Sequence, residues 1–146
     1  MSRPNADGQP LLWAKGVTFA YHDHGPAVLR QVDLALHRGD LVGLVGPNGS
    51  GKTTLLKVLS GLHAPQGGEV YLGGGRLRTL SRRQIGQRIA VVPQELQVPF
   101  SFTAREIVSM GRTPHMRPWL GETAADRAVV ERVMEATETV EIAERP

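Results

Sequence analysis

The stretch LVGLVGPNGSGKT, residues 41–53, joins a short apolar run to a glycine-rich loop that ends in a lysine and a threonine. Its second part, Gly46–Thr53, fits the phosphate-loop pattern G-x-x-x-x-G-K-[ST]. Its first part, Leu41–Val45, is apolar apart from Gly43 and predicts a strand buried on both faces. Leucines at helical spacing then predict a helix over Gly51–Leu62. The order strand, glycine loop, helix is the context in which this pattern binds phosphate.

The residue types of the loop suit anionic oxygens. Gly46, Gly49 and Gly51 let the backbone curl so that successive N–H groups point inward, and the following helix adds the positive end of its dipole. Lys52 supplies a charge for β- and γ-phosphates, and the Thr53 hydroxyl can bind Mg²⁺. A plain glycine turn would not need Lys52, because a cation at a helix N-terminus is unfavourable without an anion. The loop therefore predicts a nucleotide site, with ATP as the expected ligand.

The composition is that of a folded domain: 146 residues, 40% apolar and 21% charged, without cysteine. The lack of cysteine excludes disulfides and thiolate metal sites. No apolar run reaches the roughly 18 residues of a membrane span. The polar residues 1–10 do not resemble a secretory signal, and we expect a flexible tail there.

The formal charge is +3, and five arginines lie between Arg76 and Arg88. Such a cluster can form a nucleic-acid surface. Because no aromatic residues are interleaved for base stacking, a solvated face is the favoured interpretation, and no nucleic-acid partner is expected. His22 and His24 form an H-x-H pair in a predicted turn without a carboxylate partner, which does not favour a metal site.

Further elements are predicted on both sides of the loop. Runs with β-type patterns predict strands at Leu11–Tyr21, Ala27–His37, Glu69–Leu72, Arg76–Leu77 and Ile89–Val92. The third and fourth form a hairpin around three glycines, and the last is apolar enough to be buried on both faces. Capping boxes predict helices after Ser81 and Thr103, and Glu122–Thr139 has the pattern of a longer helix.

Extended to Thr54, the stretch Gly46-Pro47-Asn48-Gly49-Ser50-Gly51-Lys52-Thr53-Thr54 resembles the whole Walker A loop of the ATPase subunits of ABC transporters. Tyr21 lies ahead of the loop, where this family has an aromatic residue that stacks on adenine. Val91-Val92-Pro93-Gln94 resembles the family's Q-loop. The stretch Phe102–His115 is similar to the subgroup that serves importers of iron-siderophores, haem and cobalamin. The resemblance extends from about Leu11 to Pro146.

The resemblance implies an α/β P-loop NTPase fold of the ABC ATPase type. An antiparallel β subdomain would precede the loop, and the start of a helical subdomain would follow it. Residues 1–10 would be a flexible tail, 11–94 the partial nucleotide-binding core, and 95–146 the start of the helical subdomain. The expected partners are transmembrane permease subunits and a second ATPase subunit, at the cytoplasmic face of the cell membrane.

The resemblance also assigns roles to single residues. Tyr21 would stack on adenine, and Asn48, Gly49, Ser50, Gly51, Lys52, Thr53 and Thr54 would wrap the phosphates, with Thr54 near the α-phosphate. Gln94 would reach Mg²⁺ and the attacking water. Catalytic roles would thus fall to Gln94 and Lys52, and metal ligation to Thr53 and Gln94.

The sequence departs from the family pattern downstream. It contains no LSGGQ motif, and Leu80-Ser81-Arg82-Arg83-Gln84 lacks the glycines and precedes the Q-loop. No apolar strand ends in Asp-Glu, and Glu95 follows the Q-loop glutamine, where it is a poor candidate base. We therefore expect the N-terminal part of an ATPase subunit, with weak ATP binding, negligible hydrolysis and marginal stability when isolated.

Several alternatives remain open from sequence alone. The chain could be another phosphate-loop enzyme, such as a kinase or GTPase, or a non-catalytic fragment that binds ATP. Tyr21 could be an ordinary strand aromatic. Phe100 and Phe102 could contact a permease or belong to a core.

Overall fold

A computed structural model of the chain describes residues 8–94, 101–117, 119 and 121–145. The chain forms two compact units, one extending to Ala90 and one beginning at Val91. Among the described residues, no helix combines the length and apolarity needed to cross a lipid bilayer. Phe100 and Glu95 lie outside the described residues, whereas Phe102 is half-buried.

The first unit is built on an antiparallel sheet in the order β2-β1-β3-β4. Its strands are β1 (Leu12–Phe19), β2 (Leu29–Leu36), β3 (Gly67–Leu72) and β4 (Gly75–Arg76). The antiparallel β subdomain predicted from sequence is therefore present, with boundaries shifted by one or two residues at most strand ends. The glycine hairpin is confirmed as well, since Leu72 pairs with Gly75 across a two-residue turn.

A single apolar core joins this sheet to helix α1 (Lys52–Leu59). Val17 from β1 and Val58 from α1 are both fully buried, and Val70 from β3 is 3% exposed. Completing the cluster are Ala14, Phe19, Leu29, Leu55, Leu59, Leu72 and Leu77. Because the apolar face of α1 is fixed on the sheet, the beginning of this helix has a defined position for a ligand site.

Helix α1 ends three residues earlier than the sequence predicted, at Leu59 and not at Leu62. Gly61 donates its N–H to the Val58 carbonyl at 3.1 Å, and Leu62 donates to the Lys57 carbonyl at 2.9 Å. These two bonds form a Schellman motif, which ends the helix at Leu59. The leucine spacing extended the predicted helix to Leu62, but this side chain lies beyond the helix and is 53% exposed. Gly61 marks the end of the helix, whereas the regular leucine spacing suggested that the helix continued past it.

The prediction of two buried strands was wrong. Residues 41–45 and 89–92 are not strands, and Val45 and Val92 are each 94% exposed. A buried central strand needs hydrogen-bonded neighbours on both sides, and neither run has a ladder partner within the described residues. Apolar composition marks these runs as suited to a sheet interior, but it does not supply the neighbouring strands.

Strand β1 contains a bulge where β3 approaches it most closely. Between the pairs Lys15–Glu69 and Thr18–Gly67, two residues of β1 face one residue of β3. That one residue is Gly68, whose φ is +73°. A Cβ on Gly68 would lie 2.3 Å from the carbonyl oxygen of Gly16. The sheet therefore tolerates only glycine at position 68.

Three α-helices begin with capping boxes. Helices α2 (Arg82–Gly86) and α3 (Ala104–Met110) begin at the predicted boxes of Ser81 and Thr103, both of which form. Helix α4 (Ala124–Ala136) begins at a third box, in which Thr123 pairs with Asp126. The sequence prediction did not include this third box, because it started the helix at Glu122.

In the second unit, Val130, Met134 and Ala143 form a small core, and Ala104 and Val108 of α3 pack against it. Ionic contacts surround it. Arg105 binds Glu131 and, at 2.8 Å, Glu144. Arg112 donates to Oδ1 of Asp126 at 3.0–3.1 Å through two nitrogens. These contacts tie the loop after α3 to the first turn of α4.

Asp126 makes the second unit sensitive to acid. Hydrogen bonds from the Thr123 hydroxyl, the Thr123 N–H and Arg112 lower the pKa of its carboxyl from 3.8 to about 2. A lowered folded-state pKa contributes stability above the unfolded-state pKa, and this contribution disappears as the pH falls from about 4 to about 2. In denaturation measured across this range, Asp126→Asn should lower stability at neutral pH and reduce its loss in acid. Identical slopes for both proteins would contradict this assignment.

Candidate functional site

The start of α1 differs from those of the other described α-helices because it has no side-chain cap. Gly51 occupies the N-cap position without a side-chain hydrogen bond, whereas α2, α3 and α4 each begin with a capping box. The first-turn N–H groups of a helix have no acceptor within the helix. At α1 they are left for an external acceptor, and the helix dipole favours one that is negatively charged.

Glycine is required at this N-cap. Gly51 has a φ of +91°, and an added Cβ would lie 3.2 Å from both the Val28 carbonyl oxygen and a Leu29 methyl group. The loop thus turns into the helix directly against the beginning of β2. This close approach fixes the loop on the sheet scaffold.

Lys52 folds over the loop that precedes it. Its Nζ donates to the carbonyl oxygens of Gly46 at 2.7 Å and Pro47 at 2.8 Å, and lies 3.4 Å from the Ser50 hydroxyl oxygen. The ammonium group is therefore held at the loop by neutral acceptors. A phosphate would offer charged acceptors to the same group, and hydrogen bonds of that kind are stronger.

Tyr21 is joined to the end of the loop by its hydroxyl group. The Tyr21 hydroxyl lies 3.1 Å from Oγ1 of Thr54, a residue 33 positions away. Thr54 is 5% exposed, whereas Tyr21 is 51% exposed. The structure thus brings together an aromatic side chain and a phosphate-loop residue that sequence linked only by resemblance. The exposed part of Tyr21 remains accessible to a ligand.

The remaining predicted site residues lie in two places. Asn48, Gly49, Ser50 and Thr53 are exposed in the loop and the first turn of α1. Thr53 is an exposed residue next to Lys52, and its hydroxyl group is of a kind that can bind a phosphate-bound Mg²⁺. Gln94 is an exposed residue of the second unit, and its role stays a prediction.

Two residues near Tyr21 were not found from sequence. The Gln66 side chain accepts from the N–H of Ala20 at 2.5 Å and donates to its carbonyl at 2.9 Å. This amide pairs with the backbone beside Tyr21 as a neighbouring strand would. His63 packs its ring against Phe19 and Tyr21. Both contacts span more than 40 positions, and neither residue belongs to a local motif.

Comparison with known proteins decides the family. A family model described as ABC transporter matches residues 29–146. The chain belongs to the ABC transporter family. This membership removes the kinase and GTPase alternatives, and it confirms the family resemblance stated from sequence.

Individual ABC relatives point to importers. The chain is 43% identical over 121 residues to the cobalamin import ATP-binding protein BtuD of Halobacterium salinarum, covering 83% of this chain and 30% of that protein. It is 47% identical over 115 residues to the hemin import ATP-binding protein HmuV of Nocardia farcinica, covering 77% and 40%. It is 34% identical over 119 residues to the iron(3+)-hydroxamate import ATP-binding protein FhuC of Bacillus subtilis, covering 82% and 44%.

Solved structures agree with the fold. The structure of an ATP-binding subunit of an ABC transporter matches with a TM-score of 0.72 and 25% identity, over 93% of this chain and 54% of that one. An inward-facing ABC transporter of metal-chelate type matches with a TM-score of 0.70 and 25% identity, over 92% and 47%. The chain spans about half or less of the curated relatives' length, from 30% to 49%. The partial ABC ATPase fold expected from sequence is therefore confirmed.

Proposed function

We propose that this chain binds MgATP as part of the ATPase subunit of an ABC importer. The observation that carries the proposal is the uncapped N-terminus of α1, where the loop Gly46–Thr53 meets Tyr21 through the hydroxyl of Thr54. A phosphate cradle and an aromatic surface at one place are the two features that a nucleotide needs.

Each residue of the site has a defined part in this proposal. The amides from Asn48 to Thr54 bind the phosphates, and Lys52 exchanges its contacts with Gly46 and Pro47 for the β- and γ-phosphates. Tyr21 stacks on adenine. Thr53 and Gln94 would be the protein ligands of Mg²⁺, which would supply positive charge to the phosphates. Gln94 also orients the attacking water in a complete subunit.

The proposal extends to the organisation of the intact protein. Residues 11–94 form part of the nucleotide-binding core, and residues 95–146 begin the helical subdomain that docks on a transmembrane permease. Two ATPase subunits pair across ATP at the cytoplasmic face of the membrane. Support comes from the family and from the names of the relatives, which describe import ATP-binding proteins.

We further propose a metal chelate or a related compound as the transported solute. The printed names of three relatives specify cobalamin, hemin and iron(3+)-hydroxamate. These compounds are large organic metal complexes, and the match to a metal-chelate type transporter is of the same kind. Uptake assays with an iron-siderophore, haem and cobalamin in a deletion strain would separate the three.

Substitution of Tyr21 tests the base-binding part of the proposal. Tyr21→Ala should weaken MgATP binding about tenfold, because base–aromatic stacking contributes roughly 1–3 kcal/mol. Binding of magnesium tripolyphosphate, which has no base, should stay unchanged. Tyr21→Phe keeps the ring and removes only the bond to Thr54, so its affinity for MgATP should fall by about threefold or less. Equal weakening of both ligands by Tyr21→Ala would argue against stacking.

A further inference from the structure

Three aromatic rings meet beside the phosphate loop, two at or just after the end of β1 and one from the segment after α1. Phe19 and His63 are stacked, with ring centroids 5.1 Å apart and planes inclined by 13°. Tyr21 stands nearly perpendicular to both, at 86° to Phe19 and 87° to His63. Its centroid lies 5.2 Å from that of Phe19 and 5.7 Å from that of His63. Both arrangements are favourable for aromatic pairs.

The ring of Tyr21 is therefore fixed at two places. The aromatic pair contacts the ring, and Thr54 holds the hydroxyl group at 3.1 Å. Half of the side chain still faces solvent, with an exposed fraction of 51%. A ring that is fixed in this way loses little further rotamer freedom when a base stacks on it.

His63 makes this contact as a ring and not as a polar group. Its Nε2 is buried and has no hydrogen-bond partner within the described residues. A buried polar atom without a partner is unfavourable, and an apolar group of the same shape is tolerated in its place. The flat face of His63 thus packs against another ring, whereas Nε2 makes no hydrogen bond within the described residues.

We propose that His63 is a positioning residue that holds Tyr21 in the orientation needed to stack on a nucleotide base. The proposal rests on the proposed function, because it assigns base binding to Tyr21. His63 acts through Tyr21 and does not touch the ligand. The segment between α1 and β3 thereby takes part in nucleotide affinity, although it lies outside the Walker A loop.

Two substitutions of His63 distinguish the contribution of its planar ring from that of its polar nitrogen. His63→Phe and His63→Leu both remove Nε2, but only phenylalanine keeps a planar ring. We expect His63→Phe to bind MgATP within about twofold of the original chain, and His63→Leu to bind about fivefold more weakly. Magnesium tripolyphosphate should bind all three proteins equally. In a double-mutant cycle, His63→Leu should add nothing to the loss caused by Tyr21→Ala.

The outcomes distinguish a failure of the role proposed for His63 from a failure of the proposed function. Equal weakening by His63→Phe and His63→Leu would overturn the role of the ring. Additive losses with Tyr21→Ala, or a loss of tripolyphosphate binding, would show that His63 supports the fold and not the orientation of Tyr21. If Tyr21→Ala itself leaves MgATP binding unchanged, the proposed function fails at Tyr21, whatever His63 does.

Discussion

Replacing Lys52 with alanine is expected to weaken MgATP binding by at least about 100-fold, because charge-assisted hydrogen bonds to phosphate are worth about 1.5–3 kcal/mol each. The Lys52 Nζ lies within 2.8 Å of two carbonyl oxygens at the loop. A phosphate at the N-terminus of α1 would offer stronger acceptors in the same region. Fluorescence or calorimetric titration with MgATP measures the change directly.

The same substitution should leave the fold intact. Lys52→Ala loses two hydrogen bonds to carbonyls but also removes a cation from a helix N-terminus, where its charge is unfavourable by about 0.3–1 kcal/mol. The midpoint of thermal unfolding should therefore move by less than about 4 °C.

Lys57→Ala is the matched control, since Lys57 lies in the last turn of the same helix. This variant removes the same charge and should bind MgATP as the original chain does. An unchanged affinity in Lys52→Ala, or equal losses in both variants, would contradict the assignment of the loop.

Gly68→Ala is expected to remove most of the stability of the first unit, by at least about 4 kcal/mol. Its Cβ would lie 2.3 Å from a backbone oxygen of Gly16 and 2.4 Å from the carbonyl oxygen of Lys15. Backbone atoms in a ladder cannot move away as a flexible side chain can. The pairing of β1 with β3 must open, and the core beneath Val17 and Val70 opens with it.

Gly16→Ala provides the matched control for this prediction. Gly16 also has a positive φ, +57°, but a Cβ there would meet nothing within 4 Å. Only backbone strain remains, and this costs about 1–2 kcal/mol for an alanine. Chemical denaturation of both variants should therefore show a clearly larger loss for Gly68→Ala. Similar losses of stability in the two variants would mean that β1 and β3 separate at this bulge at little cost in free energy.

Local chemistry made much of the site predictable. The pattern from Gly46 to Thr53 fixes the loop because each glycine, the lysine and the threonine perform a task that few other residues can. The capping boxes at Ser81 and Thr103 were found for the same reason, since cap and partner lie three positions apart. Such motifs can be predicted because they depend on residues close in sequence and not on contacts with distant parts of the chain.

Long-range contacts were beyond the reach of the sequence. Nothing in the residues around His63 or Gln66 indicates that they pack beside Tyr21 and Ala20, more than 40 positions earlier. The apolar runs at 41–45 and 89–92 show the opposite error. Their composition predicts strands, yet a strand exists only with ladder partners, which the described residues do not provide.

The most direct test of the central claim is hydrogen–deuterium exchange of this chain with and without saturating MgATP. If the loop is the phosphate cradle and Tyr21 the base platform, exchange should slow in the segment Gly46–Thr54 and around Tyr21. The Lys52→Ala variant should show no such protection under the same conditions. Saturating MgATP that leaves both segments unchanged, or protects only other parts of the chain, would contradict the account.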